Sequence, residues 1–145
     1  MNFPVPIPFV EHMGFRLQRF EGGEAEIAYE PSPEHLNSFS VVHGGASMTL
    51  IDVAMAHAAR SVQPEMGAVT IEMKTSFMQA ARGPLLCKAR LLHRTATMAF
   101  TEAEVRDAEG RLCAQASGTF KFVKRLPVGP RATQELNAAA GIPSD

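Results

Sequence analysis

The fold is decided by residues 37–62, which read NSFSVVHGGASMTLIDVAMAHAARSV. Residues 46–62 contain neither Pro nor Gly, and Ala, Met and Leu dominate them, which favours a helix. Within that range only Asp52 and Arg60 are charged. Because a helix on the surface would have one polar face, this composition predicts a helix that is mostly buried.

The sequence around this helix alternates in part between apolar and polar residues, which is the period of half-buried strands. A short helical turn is expected at residues 9–13, ended by Gly14. Turn signals separate strands predicted at residues 15–20, 25–29, 68–78, 85–94, 96–106 and 111–123. Consecutive hairpins imply antiparallel pairing. We therefore predict an α+β fold in which a six-stranded antiparallel sheet covers one long central helix.

The 145 residues are 46% hydrophobic and carry a formal net charge of −1, which favours one soluble domain. The core is expected at about residues 15–123, with the Pro-rich start and a tail from Pro127 outside it. Two cysteines exclude a disulfide scaffold, and the near-zero charge argues against nucleic-acid binding. Neither a signal peptide nor an apolar run of membrane length is recognisable, which predicts a cytoplasmic protein away from membranes.

The charge is distributed unevenly along the chain. Residues 1–81 hold four Lys/Arg and nine Asp/Glu, whereas residues 82–131 hold ten Lys/Arg and four Asp/Glu. Such a basic half suits an anionic ligand, although solvated strand faces explain the same pattern.

Asp52 is the first candidate for a functional residue. Helical spacing places it on one stripe with Met48, Met55, Ala56 and Ala59. A carboxylate within a buried apolar stripe costs several kcal/mol unless it is paired or solvated. Two explanations remain open, namely a carboxylate paired in a dimer interface and a catalytic group.

The residues before the helix form the second candidate. Gly44 and Gly45 would expose backbone N–H groups at the helix N-terminus, where an anion or a developing oxyanion is stabilised. A tight turn is the simpler explanation of the same glycines. His43 would cap or brace this turn, and Asn37 lies six residues before it. The histidines do not have the spacing of a metal site, so no metal is expected.

Asn37, His43-Gly44-Gly45 and Asp52 together resemble the signature of hotdog-fold acyl-CoA thioesterases of the phenylacetate-pathway (PaaI-like) family. Residues 67–78, with Thr70, resemble the next strand of that family. The resemblance covers about residues 15–123. It implies a thioesterase that releases a free acid and coenzyme A, with an acyl, aryl or arylacetyl substrate and no separate cofactor.

The resemblance also implies roles for individual residues. Asp52 would be the general base or nucleophile, and the Gly44 N–H would polarise the thioester carbonyl. Asn37 would place the water or the thioester, His43 would shape the turn, and Thr70 would hydrogen-bond Asp52 or its water. The expected substrate-binding residues are Gly45, Met48, Met55, Met73, Phe77, Arg82 and Arg94. The methionines and Phe77 would line an acyl pocket, unless they only pack in the core. The cationic candidates for the coenzyme A phosphates are Arg82, Lys88, Arg94, Lys121 and Lys124.

One geometric inference concerns assembly. Asp52 follows Gly44 by eight residues, which is about 12 Å along a helix, too far for both to reach one carbonyl carbon. We therefore expect a homodimer that joins Gly44 of one copy to Asp52 of another, and the family resemblance implies a homotetramer. Three alternatives stay open: a non-catalytic acyl-CoA-binding protein, a hotdog dehydratase or hydratase, and a structural oligomerisation domain.

Overall fold

The computed structural model describes residues 1–124. A short helix α1 (Pro8–Met13) precedes the hairpin of β1 (Arg16–Glu21) and β2 (Glu24–Tyr29). A 3₁₀ turn at Pro33–His35 leads to the long helix α2 (Gly44–Arg60). Four strands follow, namely β3 (Met66–Phe77), β4 (Leu85–Arg94), β5 (Met98–Asp107) and β6 (Leu112–Lys124).

The six strands form one antiparallel sheet in the order β1-β2-β4-β5-β6-β3. Helix α2 packs against one face of this sheet, with contacts to every strand. The predicted α+β hotdog architecture is therefore confirmed. The order of the strands has one consequence for the site. Although β3 precedes β4 in the sequence, it crosses to the far edge and pairs with β6 alone within residues 1–124.

The two halves of α2 are buried to different extents. Its N-terminal part buries Ser47, Leu50 and Ile51 on one side, whereas nearly every residue from Ala54 to Arg60 is buried. The close approach of β6 explains part of this difference. A Cβ on Gly118 would lie 2.7 Å from Cε of Met55, so the end of the Met55 side chain occupies the space that a side chain at this position would need. The exposed side chains of α2 therefore lie in its first half.

Several element boundaries in the structure differ from those predicted. Helix α2 begins at Gly44 rather than residue 46, because His43 provides the N-cap and both glycines lie in the first turn. The bounds of β4 are as predicted, and those of the other strands differ by at most two residues. The core also starts earlier than residue 15, since α1, ended by left-handed Gly14, packs Val10 and Met13 into it. The predicted tail from Pro127 lies outside the described residues.

The two cysteines lie in the core. Cys87 and Cys113 are buried free thiols, and desolvation raises the pKa of both. As thiols they behave as small apolar core residues.

No helix within residues 1–124 is long and apolar enough to cross a membrane.

Candidate active site

The N-terminus of α2 leaves one backbone donor unused. His43 Nδ1 accepts a hydrogen bond from the Gly45 N–H at 2.8 Å. The His43 carbonyl accepts from Ala46 N at 2.9 Å and from Ser47 N at 3.2 Å. The Gly44 N–H makes no hydrogen bond within residues 1–124. Because the helix dipole adds partial positive charge here, this N–H is suited to a negatively charged oxygen.

Asn37 lies in a small hairpin loop just before the helix. Its N–H donates to Val41 O at 2.8 Å, and its Oδ1 accepts from Phe39 N at 2.9 Å and from Val41 N at 3.3 Å. Two backbone donors therefore fix the side-chain oxygen. The Nδ2 amide is left as the group that can donate to a ligand.

Asn37 and Gly44 line the same cleft, which has a volume of about 390 Å³. Phe77 from the end of β3 lies on its other side, with its ring close to Gly44. Ser47 and Cys113 also line it, and none of the lining residues is charged. Sequence reasoning missed Ser47 and Cys113, because no local pattern shows that the start of β6 lies beside the first turn of α2.

Asp52 lies on the side of α2 that faces β3 and is half-buried. Thr70 Oγ1 on β3 donates a hydrogen bond to Asp52 Oδ1 at 2.6 Å. The expected contact between these two side chains is present. Since Thr70 engages Oδ1, the other carboxylate oxygen is available to water or substrate.

The expectation that Asp52 lies within a buried apolar stripe is wrong for the single chain. Met48 on that stripe is 39% exposed, whereas Met55 is fully buried against Gly118. The stripe divides because the sheet covers the second half of α2 more completely than the first. Met55 thus occupies the core of this chain, with no surface for a ligand, and Met48 is accessible. Met73 is half-buried on β3.

Asp52 and Gly44 are not brought together within one chain. Both lie on the straight helix α2, eight residues apart, which corresponds to about 12 Å. Asp52 is absent from the residues that line the Gly44 cleft. One chain therefore presents two separate halves of the predicted constellation.

His57 is not a partner of Asp52. Its Nδ1 lies 2.7 Å from the Val53 carbonyl, and its ring packs against Phe3 at 5.0 Å between centroids. Desolvation lowers the pKa of His57 to about 4, so the imidazole is neutral near pH 7. The side chain is 2% exposed and cannot reach a substrate. Within residues 1–124, no three His, Cys, Asp or Glu side chains are grouped to hold a metal.

The basic candidates for phosphate binding are spread over the molecule. Arg82 is exposed and follows Ala81, which lines the Gly44 cleft. The Arg94 guanidinium lies 4.5 Å over the ring of Phe122, and its Nη1 donates to Gln63 Oε1 at 2.8 Å. The exposed lysines are Lys88 and Lys121, on the sheet face away from α2, and Lys124 at the end of β6. One chain does not bring these cations to one site.

Comparisons with known proteins identify the family. A family model described as Thioesterase superfamily matches residues 39–114, a range that holds Gly44, Asp52 and Thr70. The chain belongs to this superfamily. A structure of a conserved protein from Pseudomonas aeruginosa is similar, with 31% identity and a TM-score of 0.79 over 83% of this chain and 97% of the other.

Two further relatives of this superfamily member carry informative names. A mutant structure of the phenylacetic acid degradation protein PaaI from Thermus thermophilus has 28% identity and a TM-score of 0.73, over 81% of this chain and 99% of that one. Acyl-coenzyme A thioesterase 13 of Pongo abelii is 29% identical over 89 residues, covering 59% of this chain and 64% of its own. The second of these relatives is named for hydrolysis of acyl-CoA.

Proposed function

We propose that this thioesterase-superfamily chain hydrolyses the thioester of an acyl-CoA to a free acid and coenzyme A. The observation that carries the proposal is the unused Gly44 N–H at the start of α2, which lines an uncharged cleft. Thioester hydrolysis needs a base within reach of water and donors aimed at the oxyanion. Asp52, Gly44 and Asn37 supply these groups. The relative named for phenylacetic acid degradation favours an arylacetyl group among the possible substrates.

The mechanism assigns each group one task. Asp52, oriented by Thr70, accepts a proton from the water that attacks the carbonyl carbon, or attacks that carbon itself. The Gly44 N–H and the Asn37 Nδ2 amide stabilise the negative charge on the carbonyl oxygen. In the general-base route the C–S bond then breaks, and the protonated Asp52 returns its proton to the leaving sulfur. In the nucleophilic route coenzyme A leaves as the thiolate, and water then hydrolyses the acyl–Asp52 anhydride to release the acid. His43 keeps the first turn in place through its bond with the Gly45 N–H.

The separation of Asp52 from Gly44 makes a dimer part of the proposal. The outer edge of β3 favours it, because no strand pairs with this edge within residues 1–124 and an edge strand of twelve residues is a template for a second chain. Ile71 and Phe77 on this strand are each 54% exposed, which a paired edge would cover. The Phe77 end of β3 adjoins Gly44, and Thr70, seven residues earlier on the same strand, binds Asp52. Antiparallel pairing of two copies of β3 would therefore bring Gly44 of one copy towards Asp52 of the other.

Mixed dimers are expected to regain activity. Chains carrying Asp52→Asn and chains carrying Gly44→Pro each lack one half of the site, so each homodimer should be nearly inactive. A heterodimer contains one site with both intact halves. After co-refolding at equal amounts, statistical mixing predicts about a quarter of wild-type thiol release per chain.

A mixture that stays inactive, while native mass spectrometry shows that heterodimers form, would contradict the shared site. Light scattering separately checks whether the protein is a dimer or the expected homotetramer.

Release of free thiol from a panel of acyl-CoA substrates tests the activity itself. The uncharged cleft predicts faster hydrolysis of phenylacetyl-CoA and hexanoyl-CoA than of glutaryl-CoA. The free carboxylate at the far end of the glutaryl group would be buried without a cationic partner. Saturable binding of all three without thiol release would instead favour an acyl-CoA-binding protein. Hydration of an enoyl-CoA without thiol release would favour the hydratase alternative.

A further inference from the structure

The loop that carries Asn37 is fixed to the core through the side chain of His35. Tyr29, the last residue of β2, is 1% exposed and packs edge-on against Phe15 at 4.9 Å between ring centroids. The Tyr29 hydroxyl lies 2.6 Å from His35 Nδ1. This hydrogen bond connects a buried core side chain to the 3₁₀ turn that begins the loop.

The direction of this hydrogen bond follows from a second contact. The Ser32 N–H donates to the same His35 Nδ1 at 3.3 Å. Because Nδ1 accepts from a backbone N–H, it carries no proton, and the imidazole proton is on Nε2. Tyr29 must then be the donor. Burial raises the pKa of Tyr29 to about 12, so its hydroxyl keeps this proton throughout the neutral range.

The main chain of His35 links this anchor to both parts of the site. The His43 N–H donates to the His35 carbonyl at 2.9 Å, which closes the base of the loop. A bridge between Leu36 and Val42 continues the pairing, and the Asn37 N–H then bonds to Val41. A rotation or shift of His35 would therefore move Asn37 and the N-cap of α2 together.

We propose that Tyr29 and His35 are positioning residues that hold the Asn37 loop and the start of α2 in the geometry required for thioester hydrolysis. This inference rests on the proposed function. Neither side chain lines the cleft, so both act through the loop rather than on the substrate. The hydrogen bond fixes the relative positions of Asn37 Nδ2 and the Gly44 N–H, the two donors that share one oxyanion.

Removal of this single hydrogen bond should lower turnover. Tyr29→Phe keeps the ring against Phe15 and deletes only the donor, and we expect kcat to fall about tenfold with KM nearly unchanged, because misplaced donors weaken transition-state binding. His35→Leu should have a similar effect. His35→Asn should restore most of the turnover, because Asn Oδ1 occupies the position of Nδ1 and accepts both hydrogen bonds. The double variant Tyr29→Phe/His35→Leu should be no slower than either single variant.

A matched control separates positioning from general loss of stability. Thr101→Val removes another buried hydroxyl, which donates to the Gly118 carbonyl at 2.9 Å on β6 far from the loop. We expect it to lower Tm with no change in kcat. The proposal is overturned if Tyr29→Phe retains wild-type kcat, or if Thr101→Val loses as much turnover for the same loss of Tm.

Nitrogen NMR of histidine-labelled protein provides a readout that does not depend on activity. The ¹⁵N shifts of His35 should show an unprotonated Nδ1 and a protonated Nε2 in the wild type, and Tyr29→Phe should shift the Nδ1 resonance. A protonated Nδ1 in the wild type at neutral pH would overturn the anchor. If the wild type releases no thiol from any acyl-CoA, the proposed function fails, and the NMR shifts still decide whether the anchor exists.

Discussion

Replacing Asp52 by asparagine is expected to lower kcat for thioester hydrolysis by about 10²–10⁴-fold, the range that a positioned general base contributes. Asparagine has almost the same shape, and its carbonyl oxygen still accepts the hydrogen bond from Thr70. The fold and the assembly should therefore remain, while no group is left to take the proton from water. Thiol release under saturating substrate, together with light scattering, measures both properties.

Glu72, a carboxylate on β3, provides the control for Asp52. Glu72 Oε1 accepts a hydrogen bond from Thr119 at 3.0 Å, a pairing like that of Asp52 with Thr70 but on the outer face of the sheet. Glu72→Gln should leave kcat at the wild-type value. If Asp52→Asn is as active as Glu72→Gln, Asp52 is neither base nor nucleophile.

Replacing Gly44 by proline should have the second largest effect, a loss of about 10²–10³-fold in kcat, which is typical for removal of one oxyanion donor. Proline deletes this N–H and places its Cδ where the hydrogen pointed, so it removes the donor and excludes the oxyanion from this position. Gly44 is the first residue of α2, where proline is favoured because the helix makes no use of that N–H. The preceding His43 already has φ −60° and ψ 136°, the extended conformation that a following proline requires.

Gly44→Ala distinguishes the backbone donor from the absence of a side chain. A Cβ at this position would lie 3.4 Å from Cζ of Phe77, an ordinary van der Waals contact. Alanine keeps the N–H, so we expect turnover within about threefold of the wild type, a barrier change below 1 kcal/mol. Circular dichroism should show equal helix content in both variants. Equal activity of the proline and alanine variants would mean that the Gly44 N–H does not bind the oxyanion.

Most of the architecture followed from local patterns. The long apolar stretch without Pro or Gly predicted α2, and the turn signals located six strands to within one or two residues. Their order in the sheet did not follow, because the position of β3 depends on pairing with β6, about 45 residues later. The expected cap at His43 is present, but the start of α2 was misplaced by two residues, since Gly44 and Gly45 lie within its first turn.

The candidate site was predicted in part. The spacing of Gly44 and Asp52 on one helix was sufficient to show that a single chain cannot join them, and the structure places only Gly44 at the cleft. Burial along α2 was predicted less well. Helical periodicity put Met48 and Met55 on one side, but the covering of the helix by β6 at Gly118 separates them into an exposed and a buried residue.

The sequence by itself determined the types of secondary structure, the inventory of chemical groups and the distance between Gly44 and Asp52, because propensity and helical rise are local properties. Only the tertiary structure decided which groups meet. It placed Thr70 against Asp52, Phe77 beside Gly44, and Tyr29 against His35. It also placed β3 at one edge of the sheet formed by residues 1–124, because sheet order is set by burial and pairing between residues distant in the chain.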